Sequence, residues 1–264
     1  MRRLLRRVMR AIRPDPIPAC DEPTLHALKH LLREDSNAVD VGCNRGSILR
    51  EIVRLAPTGQ HFALEPIPSL FHQLRKTFPG VMIWNVVASD VKGTVPFNYF
   101  RDFDGFSGMV RRDIGPDRGT ACELHVQSER LDELLPPDVR VDLMKIDVEG
   151  AELNVLRGAR EIIQRDHPAI IFECGKGGLD LYGFRPDDVF DFFTRFGMTI
   201  QKLSTWQQQG KAMSHQEFAD EFEAQGEYMF VATTGQTITS TVDRADEPVH
   251  TSVNQSNTPA EADR

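Results

Sequence analysis

A three-layer α/β fold on about seven mostly parallel strands, closed by an antiparallel terminal pair, is what this sequence predicts, and three observations predict it. From Val39 onward, short apolar runs alternate with helical segments, the pattern of strand–helix–strand units joined by right-handed crossovers. Two of those runs, at 38–42 and 140–146, give way to acids and a glycine before the next helix, as strands do at the ligand-binding edge of an open sheet. Finally, strands at 198–203 and 227–232 lie close enough in sequence to pair antiparallel.

Each element follows from its own pattern. Leu25, Leu28, Leu31 and Leu32 recur at helical spacing after Asp21-Glu22-Pro23, which predicts a helix ahead of the first strand, covering one sheet edge. Strand 38–42 leads to helix 46–56, strand 60–64, helix 68–78 and strand 81–87. Between Val91 and Arg130 the runs shorten and are broken by Gly93, Gly105, Gly108, Gly115 and Gly119. This reads as an insertion over the strand ends, with a strand near 122–128. Strand 140–146, one helix from Ala151 to about Arg165 and strand 169–172 ending at Glu173 resume the alternation. Pro186 opens a helix that Gly197 closes as a glycine does just beyond a helix C-terminus. A weaker helix at 214–224 joins the last two strands, whose exposed edge offers a place for a second copy to pair.

The chain has 264 residues, 40% hydrophobic and 27% charged, enough for one large core. One domain is expected over 21–232, between a basic arm at 1–20 and a polar tail at 233–264 too poor in apolar side chains to order itself. A net charge of -8 excludes nucleic acid as the main partner, which would demand a basic stripe. Cys20, Cys43, Cys122 and Cys174 stand apart without a CxxC pair, so neither a zinc knuckle nor a disulfide framework is indicated, and a reducing cytoplasmic setting fits. No run reaches the roughly 18 apolar residues of a membrane span. Arg2, Arg3, Arg6, Arg7, Arg10 and Arg13 interleave with Leu4, Leu5, Val8, Met9 and Ile12. That basic amphipathic segment reads either as a peripheral contact with the inner face of a membrane or as a solvated arm ending at Pro14.

Two turns carry the chemistry. Asp40-Val41-Gly42-Cys43-Asn44-Arg45-Gly46 is not a dinucleotide fingerprint, because Asn44 stands where a GxGxxG motif needs glycine, so a pyrophosphate and a nicotinamide cofactor are disfavoured. Glu65 closes the next strand about twenty residues on, where an acid can take both hydroxyls of a ribose. Ser89 and Asp90, after the third strand, are placed to reach a base amino group. Polar groups at three strand ends suit a nucleoside without phosphate, and S-adenosylmethionine is such a molecule.

Asp40-Val41-Gly42-x-Asn44-x-Gly46, Phe62-Ala63-Leu64-Glu65-Pro66, Asn85-Val86-Val87-Ala88-Ser89-Asp90, Leu131-Asp132-Glu133-Leu134-Leu135, Lys145-Ile146-Asp147-Val148-Glu149-Gly150-Ala151-Glu152, Val155-Leu156-Arg157-Gly158-Ala159 and Ile170-Ile171-Phe172-Glu173 together resemble the FkbM-type methyltransferases. The likeness spans about residues 36 to 232; Cys43 departs mildly from the family's usual small residue. It implies a class I methyltransferase Rossmann-like fold, S-adenosylmethionine as cofactor, and O-methylation of a sugar, polysaccharide or secondary metabolite. It sets the methionine end of the cofactor against Asp40, Gly42 and Asn44, the ribose on Glu65 and the adenine by Ser89 and Asp90, with chemistry beside Asp147.

Methyl transfer to a hydroxyl needs alignment and a group to take the proton. Asp147, Glu149 and Glu173, expected at one sheet edge, are the candidates, since crowded carboxylates raise one another's pKa. The same three are the place to look for a divalent cation, but carboxylates without other ligands are a poor signature and no metal is expected. Glu149 and Glu152 fall in a first helical turn, where the helix dipole alone rewards an acid. Lys145 either turns along the edge toward a carboxylate or reaches water. His125 is a minor candidate base, and the glycine-broken stretch around Ser107-Gly108-Met109 reads as a flap or as plain core. The competing reading is a catalytically silent scaffold of the same fold at the membrane surface.

Overall fold

The computed structural model describes residues 22–113, 115, 121–206 and 211–235. The basic arm and the tail from 236 onward lie outside the described residues. Within them, helices α1 (Glu22–Leu31), α2 (Ser47–Leu55) and α3 (Pro68–Thr77) alternate with strands β1 (Ala38–Val41), β2 (His61–Leu64) and β3 (Met82–Trp84). Then come β4 (Val86–Ala88), β5 (Gly93–Tyr99), β6 (Cys122–Glu129), α4 (Leu131–Leu134), β7 (Leu143–Ile146), α5 (Glu152–Arg157), α6 (Arg160–Asp166) and β8 (Ala169–Glu173). Helix α7 (Pro186–Arg195), β9 (Met198–Lys202), α8 (His215–Ala224) and β10 (Met229–Thr234) are the last elements among the described residues.

The main sheet has seven strands in the order β3-β2-β1-β7-β8-β10-β9. The first five run parallel, while β10 lies antiparallel between β8 and β9. Alternation along each strand divides the core. Val39, Val41, Phe62, Leu64, Met144, Ile146, Ile170 and Phe172 face α4 to α8, where Leu131, Leu156, Ile163, Phe193 and Phe218 are buried. Ala38, Leu143, Ala169, Ile171 and Val231 face the other way, onto Ala27 and Leu28 of α1 and Ile48 and Ile52 of α2. Helix α1 therefore packs on the middle of the sheet and not on the expected edge, because the apolar side chains that it covers, Ala38, Leu143, Ala169 and Ile171, stand on the central strands β1, β7 and β8.

Two expected elements are broken in fact. The run expected as one strand at 81–87 is two, and β4 leaves the main sheet to join β6 and β5 in a three-stranded sheet. Asn85 makes the break, since its side-chain amide donates to the carbonyls of Glu65 and Pro66 at 2.8 and 2.9 Å. The helix expected from Ala151 to Arg165 divides at Gly158. A Cβ on that glycine would fall 2.0 Å from the Ser89 carbonyl oxygen, so the chain passes too closely to carry a side chain there.

The insertion supplies β5, β6 and a short turn at Asp104–Phe106, and returns over the carboxyl ends of the main strands. No helix among the described residues is long and apolar enough to cross a membrane.

Candidate functional site

The turn after β1 and the turn after β7 touch. Gly42 has φ 76°, and a Cβ there would lie 1.9 Å from the backbone oxygen of Asp147, so only glycine fits between the two turns. Around this contact open two cavities. The first, about 290 Å³, is lined by Gly42, Asn44, Glu65, Ile67, Val87 and Ala88, roofed by Phe97 and by Ser107, Gly108 and Met109 of the insertion. A second, about 900 Å³, is lined by Arg112, Glu173, Cys174, Lys176, Tyr228 and Thr24. Ile48, Lys145, Asp147 and Glu149 belong to the walls of both.

Register explains the shared wall. Asp40 stands opposite Lys145, and Lys145 opposite Ile171, in neighbouring parallel strands. Side chains two apart share a face, so Asp40, Lys145, Asp147 and Glu173 are set on one face. Lys145 Nζ lies 3.6 Å from Asp40 Oδ1 and 3.2 Å from Asp147 Oδ2, and donates to the Gly42 carbonyl at 3.3 Å. Burial opposes its charge, but Asp147 and Asp40 outweigh that and hold the ammonium above its ordinary pKa.

Asp147, Glu149 and Glu173 come together, with an oxygen of each within 4.8 Å of the others. Arg112 enters from the insertion, pairing with Glu149 and donating to the Gly177 carbonyl at 2.9 Å. Burial works against the Asp147 charge, yet Lys145, a hydrogen bond from Glu173 and the Arg112 charge keep its carboxyl below the usual range. Glu173 goes the opposite way, well above it, through burial and the charges of Asp147 and Glu152. Glu149 is not in a helix's first turn as expected: it precedes α5 with φ 61°. Glu152 does open α5, buried, accepting the N–H groups of Val148 and Gly150 at 2.9 and 3.2 Å. Burial pushes its carboxyl up to about 7, against those two hydrogen bonds.

On the first cavity, Glu65 accepts the Asn44 N–H at 2.9 Å and the Ile67 N–H at 2.8 Å. Burial pushes it up to about 8 despite these bonds. Each of its oxygens keeps a further lone pair for a ligand hydroxyl. Asn44 and Arg45 also clasp Asp104 of the insertion, at 3.3 and 2.6 Å, and Tyr182 accepts the Val110 N–H at 3.2 Å. The insertion is thus pinned as a roof over the cavity.

Of the residues singled out in the sequence, Gly42, Asn44, Glu65, Asp147 and Glu149 line the first cavity, and Glu173 the second. Asp40 lies behind Lys145, fully buried. Ser89 and Asp90 line neither cavity, and Asp90 instead accepts from Asn154 at 3.0 Å; Val86, Val87 and Ala88 form that wall. His125 sits on β6 with a 68% exposed side chain beside Glu123. Reasoning from sequence missed Asp104 and Arg112, which had no periodic signal, and undervalued Lys145, whose offset of two from Asp147 did mark it as a same-face neighbour.

A sheet in this order, closed by an antiparallel pair and opening cavities over the carboxyl ends of β1, β2 and β7, defines a class I methyltransferase fold. The Methyltransferase FkbM domain matches residues 40–200. The chain belongs to the FkbM methyltransferase family, whose methyl donor is S-adenosylmethionine.

Relatives include methyltransferase sdnD of Sordaria araneosa, 30% identical over 155 residues covering 47% of this chain and 60% of that protein. The 2-O-methyltransferase NoeI of Sinorhizobium fredii is 27% identical over 150 residues, 51% of this chain and 62% of that protein. The chain thus spans about three-fifths of the length of these curated relatives. A crystal structure of a methyltransferase FkbM from Methylobacillus flagellatus superposes with a TM-score of 0.47 at 14% identity, covering 80% of this chain and 50% of that one.

Proposed function

We propose that the protein transfers a methyl group from S-adenosylmethionine to a hydroxyl of a sugar, polysaccharide or related polyhydroxylated acceptor. The observation that carries this reading is that the two cavities meet at one wall, Lys145, Asp147 and Glu149. A donor in the first and an acceptor in the second would face each other across ionisable groups.

The first cavity fits the donor chemically. Glu65 offers oxygens to a ribose, Ile67, Val87, Ala88 and Phe97 offer an apolar wall to a base, and Gly42 and Asn44 flank the methionine end. In this arrangement Asp40 acts through Lys145, and Ser89 and Asp90 support the base wall from behind. When bound, the cofactor supplies a methyl group on a positively charged sulfur, a carbon open to direct displacement.

The protein then has two tasks, alignment and proton removal. Asp147 would accept the proton that the acceptor hydroxyl gives up as it takes the methyl group, leaving a methyl ether and a protonated Asp147. Glu173, holding its own proton, orients the Asp147 carboxylate. Glu149, neutralised by Arg112, shapes the acceptor side.

Relatives named as O-methyltransferases, such as NoeI, support the choice of oxygen over nitrogen or carbon. Incubating the protein with methyl-labelled S-adenosylmethionine and a panel of methyl hexosides and polyols tests it. An O-methyl product is expected; label passing only to amines, or to nothing in the panel, would sink the reading.

A further inference from the structure

We propose that Lys145 is a positioning residue, holding Asp147 as the proton-accepting carboxylate and tying it to the glycine turn that floors the first cavity. The inference rests on the role given to Asp147 above and deepens it.

Three carboxyl groups as close as Asp147, Glu149 and Glu173 cannot all be charged cheaply, so one of them keeps a proton. Which one is decided by where the cations stand. Lys145 reaches Asp147 from the sheet below, and Arg112 reaches Glu149 from the insertion above. Glu173, among the described residues, forms no ion pair. The proton therefore rests on Glu173 and is shared toward Asp147, which stays ionised on the wall common to both cavities.

Among the described residues, the charged groups around Asp147 fit this division. Lys145 comes from its own strand, Asp40 from β1, Glu173 from β8, Arg112 from the insertion, and Glu149 and Glu152 from the turn and helix that follow. Lys145 cannot itself be the base, because Asp40 and Asp147 on either side keep it protonated. Its side chain, 7% exposed, has its reach fixed by three contacts, to Asp40, Asp147 and the Gly42 carbonyl. A shift of the glycine turn would therefore be passed to Asp147 through this one ammonium.

The test uses the full chain labelled with carbon-13 at aspartate carboxyls, with D147N assigning the Asp147 signal. In K145M, Asp147 is expected to titrate higher than in the wild type by roughly one pH unit or more, and in K145R close to the wild type. K145Q carries the same expectation as K145M should the latter fail to fold. With the methyl hexoside that the wild type accepts, the acid limb of the rate against pH should move with the signal, turnover of K145M recovering as pH rises. An Asp147 carboxyl titrating at the wild-type pH in folded K145M or K145Q would overturn the inference. A shifted signal with no hexoside methylation by the wild type would support the hold of Lys145 on Asp147 and count against hydroxyl methylation.

Discussion

Asp40 and Lys145 face each other in register across parallel strands β1 and β7, with Oδ1 and Nζ 3.6 Å apart and Asp147 on the far side of the same ammonium. An acid in the first turn motif and an acid in the second are thus joined through one buried cation, which makes the two motifs a single site.

Replacing Asp147 by Asn keeps the volume and removes the proton acceptor. Donor binding should persist while turnover falls on the order of 10²–10⁴-fold. Calorimetry for binding and label transfer for turnover check this, and full turnover in D147N would remove Asp147 from the chemistry.

Glu65 links binding to pH. Its folded pKa, raised to about 8 chiefly by burial, lies above the unfolded value of 4.5. The folded state therefore holds the proton more tightly. The stability contributed by the neutral form is complete below the unfolded value and is lost as pH rises through the folded one. Denaturant unfolding should show E65Q with a flatter fall in stability over that window than the wild type. The same variant should bind S-adenosylmethionine more weakly; unchanged affinity would refute the ribose role.

Gly42→Ala brings a Cβ to within 1.9 Å of the Asp147 backbone oxygen at a φ of 76°. The turns must separate, at a cost of roughly 1–3 kcal/mol for the backbone strain alone. Both thermal stability and turnover should drop, and a G42A protein with the wild-type melting temperature would show that the turns are not in contact.

Phe172, on β8, is fully buried between Phe193 and Phe230, with ring centroids 4.8 and 5.8 Å away. Phe172→Ala should cost about 3–5 kcal/mol, measured by denaturant unfolding. Because the ring faces α7 and Phe172 lines neither cavity, donor affinity in the folded fraction should hold.

Where the sequence misled, tertiary contacts had the decisive part. Met82-Ile83-Trp84 and Val86-Val87-Ala88 form one apolar run by pattern, and nothing in its periodicity reveals that Asn85 is drawn to the carbonyls of Glu65 and Pro66. The apolar spacing from Leu153 to Ile163 is continuous, yet the approach of Ser89 to Gly158 divides the helix. Ser89 and Asp90 sit at a strand end as expected, but Asn154 holds Asp90 outside the cavity.

By itself the sequence determined the alternating strands and helices, the antiparallel closing pair, and which acids stand at strand ends, because those follow from side-chain periodicity within one segment. Only the tertiary structure decided that Lys145 contacts Gly42, 103 residues away, and that Arg112 and Asp104 close the insertion over the site. Register between strands and the path of a glycine-broken loop depend on contacts between distant segments, and such contacts leave no period to read along the chain.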